Sequence, residues 1–282
     1  MYLAGGILSL ASTLFMASIA SAPNVRFPRA VEYSRPDGTP LYFDAAIPPG
    51  PGPFPAVILV HGGGWVRGDR RADVAPLFRP IEDARIAWFS IDYRLLRNFS
   101  EFNAPIDDVR NAVLFVRQHA ADYRIDPNRI ALIGESAGGQ LAAMAALNPK
   151  PGGRVSGVVA FYAPTNLAAL AKNSDLIPNQ LHASLNGTPF EALLLAGLRQ
   201  LSPIEKIAPG APPFLLIHGT SDGLVPFAQS QAMCARLKSA GASCELFPIE
   251  GGGHGMRWWE SALPQEASKY KLAMVQWLRQ VL

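Results

Sequence analysis

One serine in this chain stands where a nucleophile is made. Gly134-Glu135-Ser136-Ala137-Gly138-Gly139 reads G-x-S-x-G, with the apolar run Ile130-Ala131-Leu132-Ile133 before it and an alanine-rich run over residues 140–147 after it. Strand, sharp turn and helix is the context that lifts a serine off a sheet edge with a helix N-terminus pointing at it. A serine hydroxyl is a poor nucleophile at neutral pH; it needs a base to take its proton and a third group to orient that base. Histidine, which titrates near neutrality, is the natural base.

Five histidines are present: His61, His119, His182, His218 and His254. His254 lies in Gly251-Gly252-Gly253-His254-Gly255, after the last predicted strand, where flanking glycines let the loop fold back to the sheet edge. His119 falls in a helix, and His218 reads as a loop organiser at a strand end. His61 reads as a brace of the glycine loop it opens, and His182 as a candidate pocket residue. Asp222, in Gly219-Thr220-Ser221-Asp222, follows the preceding strand. It is preferred as the acid over Glu250, too near His254 along the chain, and Asp92, on a strand further from the final loop. The order Ser136, Asp222, His254 is the one expected of such an elbow.

A developing oxyanion needs donors fixed before reaction. The amides of Ala137, Gly63 and Gly64 are the candidates, the last two in His61-Gly62-Gly63-Gly64-Trp65. A phosphate cradle is excluded for this glycine run because no Gly-Lys-Ser/Thr follows it. Trp65, Tyr93, Tyr162, His182 and Trp258 are candidates to line a substrate pocket, and the aromatic ones are equally compatible with core positions.

These side chains need a scaffold. Strands are predicted over residues 30–34, 41–47, 56–60, 86–91, 129–133, 155–162, 213–218 and 243–249, and helices over 105–121, 140–147, 226–240 and 263–282. Strands alternating with helices give an α/β protein with a mostly parallel sheet and helices on both faces. Ligands then bind beyond the carboxyl ends of the strands, where Ser136, His61, Asp222 and His254 all fall. The 282 residues, 49% hydrophobic, suffice for one large core. Net charge is +3 with no basic run, so nucleic-acid binding is not supported.

Residues 1–22 are apolar and uncharged and end in Ala20-Ser21-Ala22, a small-residue cleavage site. A secreted or periplasmic chain is expected, an uncleaved apolar anchor being the alternative. Residues 23–282 then form one domain, with a cap-like insertion at about 163–211. Export permits a disulfide between the two cysteines, Cys234 and Cys244, the alternative being two buried thiols.

The serine elbow and the His61–Trp65 loop resemble the α/β-hydrolase superfamily. Within it they resemble hormone-sensitive-lipase-like esterases, and still more the bacterial feruloyl- and acetyl-xylan-esterase-like group. Asp92-Tyr93-Arg94-Leu95, Gly187-Thr188-Pro189, Ser202-Pro203, the run from Pro213 to Gly219, and Gly253-His254-Gly255 match that group too. The resemblance runs from about residue 30 to the end. It implies an α/β-hydrolase fold with an eight-stranded sheet, hydrolysis of a small-molecule carboxylic ester through Ser136, His254 and Asp222, and no metal or organic cofactor. Two alternatives remain: a formamidase of the same fold, and a catalytically silent hydrolase fold used for binding.

Overall fold

The computed structural model describes residues 25–26, 30–98, 101–173 and 187–282. The apolar leader and His182 lie outside the described residues. The described strands form one sheet: β1 (Val25–Arg26), β2 (Val31–Ser34), β3 (Leu41–Ile47), β4 (Phe54–Val60), β5 (Ala87–Ile91), β6 (Ile125–Glu135), β7 (Val158–Phe161), β8 (Phe214–Gly219) and β9 (Cys244–Ile249). Their order is β1-β3-β5-β4-β6-β7-β8-β9, with β2 also paired to β3. β1 lies opposite Ile47 and Ala46, and β2 opposite Phe43, Tyr42 and Leu41, so the two share one edge and the sheet is eight strands wide. β3 is antiparallel to β5; β4 to β9 pair in parallel. This is the α/β-hydrolase architecture expected above.

The described helices are α1 (Ala75–Asp83), α2 (Asn103–Gln118), α3 (Ala137–Leu147), α4 (Leu167–Asn173), α5 (Pro189–Gln200), α6 (Ala228–Ser239), α7 (Met256–Ala262) and α8 (Pro264–Val281). Side chains alternate across the central strand β4. Ala56, Ile58 and Val60 join the core of α2, α3 and α6, with Val109, Val113, Leu141 and Met233. Val57 and Leu59 face the core of α1 and α8, with Leu77, Ile81, Met274 and Trp277. A strand covered on both faces reads as an unbroken apolar run for this reason.

Outside the insertion, two described helices are absent from the sequence-based expectation. α1 carries Pro76 in its first turn and Pro80 inside, which obscures the spacing of Leu77 and Ile81. α7 is a seven-residue helix entered directly from the glycine loop of His254. The insertion supplies α4, α5 and a short turn (Pro203–Lys206), and Leu195, Leu198 and Ile207 enter the same core as α2 and α3. The cysteine alternative resolves to a disulfide, Cys234–Cys244, joining α6 to the start of β9. Among the described residues no helix is long and apolar enough to cross a membrane.

Candidate active site

Ser136 sits between β6 and α3 with φ 51° and ψ −120°. Its amide donates to Phe161 O at 2.9 Å, and its carbonyl accepts the Gln140 amide at 3.1 Å, so the turn is held from both sides. Space admits only glycine two residues on. A β-carbon at Gly138 would lie 2.2 Å from the carbonyl oxygens of both Val60 and His61. The first turn of α3 is thereby pressed against the end of β4, where the glycine loop begins.

Asp222 is buried in the loop after β8. Its Oδ1 accepts the amides of Leu224 and Val225, each at 2.9 Å. Its Oδ2 accepts from His254 Nδ1 at 2.7 Å and lies 3.3 Å from His218 Nε2. Burial pushes this carboxyl up. The hydrogen bonds from His218 and His254, the charge of His254 and the Val225 amide outweigh it and hold the group well below the usual carboxylate range. A carboxylate only accepts, so the His254 proton is on Nδ1 and Nε2 is left as an acceptor. Ser136 Oγ stands 2.9 Å from that Nε2 and donates to it.

The loops carrying acid and base are stitched together. Ser221 N donates to Gly252 O at 2.9 Å, and Gly251 N donates to Thr220 Oγ1 at 2.9 Å. Trp259 Nε1 donates to Gly253 O at 2.8 Å from the other side.

The glycine loop is braced by residues from three other elements. The Tyr93 hydroxyl reaches the carbonyls of His61 and Gly62 at 3.1 and 3.0 Å, and its ring stacks on His61 with centroids 4.3 Å apart. The Gly62 amide donates to Glu135 Oε1 at 2.7 Å. Gly63, at φ 100°, accepts the amides of Val66 and Arg67 on its carbonyl. Trp65 Nε1 donates to Gln140 Oε1 at 3.0 Å, and Gln140 Nε2 donates to Leu201 O at 2.7 Å, tying loop, elbow helix and insertion together.

The structure thus brings Ser136, His254 and Asp222 into one hydrogen-bonded line, with Gly63, Gly64 and Ala137 on the two segments pressed together at the elbow. Of the aromatic pocket candidates, two take the core alternative. Tyr93 and Tyr162 are buried, and Tyr162 donates its hydroxyl proton to Glu135 Oε2 at 2.6 Å. Both brace loops from inside, because a phenol in the core must find a partner. Trp258 is 46% exposed one turn after His254, and Trp65 is half-buried against Phe102. His218 is the organiser expected, with Nδ1 2.7 Å from Ser230 Oγ and Nε2 2.8 Å from Val225 O. Its approach to Asp222, and the Glu135 and Gln140 bridges, are absent from the sequence reading. The one signal for them was a charged or amide side chain inside otherwise apolar runs. Among the described residues no cluster of His, Cys, Asp or Glu could hold a metal ion.

A serine on a strained strand-to-helix turn, with acid and base on the loops after the last two strands, defines the class as an α/β-hydrolase. The chain belongs to the BD-FAE family, whose model matches residues 43–237. The probable carboxylic ester hydrolase LipM of Mycobacterium tuberculosis is 32% identical over 201 residues, covering 66% of this chain and 46% of the relative. The chain spans about half the length of the curated relatives it matches. Among solved structures, the native thermophilic esterase Est2 of Thermogutta terrifontis superposes with a TM-score of 0.73 at 25% identity, covering 88% of this chain and 90% of that one. Its propionate-bound form matches at 0.72 and 26% identity, covering 88% and 93%.

Proposed function

We propose that this chain is a serine carboxylesterase acting on short-chain, small aromatic or carbohydrate-linked carboxylic esters. The observation that carries the reading is the line from Asp222 Oδ2 through His254 to Ser136 Oγ, at 2.7 and 2.9 Å, ending on a serine at φ 51°. His254 Nε2 takes the hydroxyl proton as Oγ attacks the ester carbonyl, and Asp222 stabilises the imidazolium. The oxyanion is held by the amides of Gly63, Gly64 and Ala137. Ala137 opens α3, so its N–H has no partner within the helix. The tetrahedral species collapses, His254 gives the proton to the departing alcohol oxygen, and the acyl group stays on Ser136. Water, deprotonated by His254, attacks that acyl-enzyme; the acid leaves and Ser136 regains its proton.

The names of LipM, a probable carboxylic ester hydrolase, and of the esterase Est2 support the reaction class, and the propionate-bound form of Est2 supports a short acyl group. Trp258, exposed one turn after His254, and the half-buried Trp65 remain our candidates to meet the rest of the ester. The apolar leader and the disulfide support a secreted or periplasmic location, where such bonds persist; recovery with cytosolic markers on fractionation would count against it.

Ser136→Ala is expected to lower kcat on p-nitrophenyl acetate and butyrate by about a million-fold, with an unchanged thermal melt. Near wild-type turnover would remove Ser136 from the chemistry. N-formylkynurenine cleaved faster than any short ester would move the assignment to formamide hydrolysis.

A further inference from the structure

Glu135 precedes the nucleophile, is 9% exposed, and has no part in the steps above. Its Oε1 accepts the Gly62 amide at 2.7 Å and its Oε2 accepts the Tyr162 hydroxyl at 2.6 Å. The Tyr162 oxygen accepts the amide of Met256, two residues beyond His254, at 3.0 Å. The same tyrosine ring stands edge-on to the His254 imidazole, centroids 4.7 Å apart. One carboxyl therefore links the ends of β4, β6 and β7 with the segment after β9. The fit is tight: a β-carbon at Gly62 would lie 2.3 Å from Oε1, so only bare backbone reaches it.

The hydrogen-bond directions fix the protonation state. The Met256 amide uses the acceptor side of the phenol, so the phenol proton points at Glu135. The Gly62 N–H points at the other oxygen. Both carboxyl oxygens accept, which is the pattern of a carboxylate.

We infer that Glu135 is a positioning residue: as a buried carboxylate it locks the glycine loop to the segment carrying His254 and places a fixed negative charge near the imidazole. The inference rests on Ser136 and His254 acting as proposed above. Burial pushes the Glu135 carboxyl up, against the Tyr162 hydroxyl, the Gly62 amide and the charge of His254. The ionisable groups facing it are Tyr162 just after β7, Tyr93 from the loop after β5, Asp73 from the segment before α1, and His254. Asp222 is the other anion against His254, with His218 beside it. The geometric role follows because a base displaced by a fraction of an ångström loses its proton-transfer geometry. The electrostatic role follows because a nearby anion favours the imidazolium formed in the reaction.

The test is Glu135→Gln, which keeps the shape and removes the charge. On p-nitrophenyl butyrate, kcat is expected to fall roughly ten- to a hundred-fold, with KM within about threefold of wild type. The acid limb of the kcat/KM profile is expected to move to lower pH by roughly half a unit, since an anion favouring the imidazolium has gone. Tyr162→Phe keeps the ring, breaks the link and is expected to reproduce the kcat loss. The double variant is expected to lose little more than the worse single one, because the two act as one network. A folded Glu135→Gln with wild-type kcat and an unmoved acid limb overturns the inference. Should that variant not fold, Tyr162→Phe decides, and a kcat within about twofold of wild type overturns it. Ser136→Ala, run alongside, separates the two readings. Activity in Ser136→Ala removes the esterase mechanism, whereas an inert Ser136→Ala beside an unaffected Glu135→Gln removes only the positioning role.

Discussion

Asp222 and Glu135 are both buried carboxyls beside the same imidazole, and their surroundings push them in opposite directions. Donors from His218, His254 and backbone amides hold Asp222 below the usual range. Its folded value lies under its unfolded one, so it contributes stability above about pH 4, lost as pH falls toward the folded value. Asp222→Asn is expected to keep the fold but cut kcat by about ten-thousand-fold, since an amide can turn its NH2 to His254 and disfavour the working tautomer; steady-state kinetics with circular dichroism checks this. Glu135 is raised by burial. Its folded value lies above its unfolded one, so stability is lost as pH rises from about 4 to the folded value. Glu135→Gln is therefore expected to gain stability relative to wild type as pH rises through that window, while losing activity. Melting curves at a series of pH values would show the divergence, and parallel curves would refute it. The meeting of Ser136, His254 and Asp222 was legible because it depends on residue type and on position after strands. The bridges through Glu135, Gln140 and His218 were not, because they depend on where side chains point across neighbouring strands. Tyr93 and Tyr162 stayed open between pocket and core for the same cause: an aromatic residue just beyond a strand looks alike in sequence whether it faces inward or toward a ligand.

Among the elements, α3 shows how small residues set distance. Its buried positions are largely alanine and glycine, and Gly138 meets the carbonyls of Val60 and His61. Gly138→Ala would gain about 1 kcal/mol of helix propensity. The obstructing atoms are backbone and cannot turn away, so the clash wins, at about 3 kcal/mol. The expected result is a lower melting temperature together with loss of whatever turnover of p-nitrophenyl butyrate the wild type shows. A second element-level expectation concerns the disulfide, whose cysteines are 10 residues apart. Loop-closure entropy for that span gives about 2–3 kcal/mol. Cys234→Ala with Cys244→Ala is then expected to lower the melting temperature by roughly 5–10 °C. The central strands were legible because burial on both faces leaves unbroken apolar runs. α1 was not, since Pro76 and Pro80 look like breakers although Leu77 and Ile81 are one helical turn apart and both buried. The cysteine pairing was open because spacing alone does not fix how α6 lies on β9.

In the whole molecule, residues 118 positions apart, Ser136 and His254, meet because the sheet order brings the ends of β6 to β9 to one rim. The alternation of strand and helix dictated that much of the architecture. The two short strands that share the edge of β3 were only half visible, since β1 has two residues and no hydrophobic period to read. The family model ends at 237 and so covers Ser136, Gly63 and Asp222 but not His254. The stitches between Thr220 and Gly251, and between Ser221 and Gly252, bear on how the molecule prepares for chemistry. The His254 and Asp222 side chains sit on loops bonded to each other, and the Ser136 hydroxyl sits on a separate turn. Three groups thus need only one relative alignment. On the function proposed above, a tilt of the paired loops would carry base and acid together, leaving an arriving substrate one degree of freedom to quiet where separate hinges would leave it two.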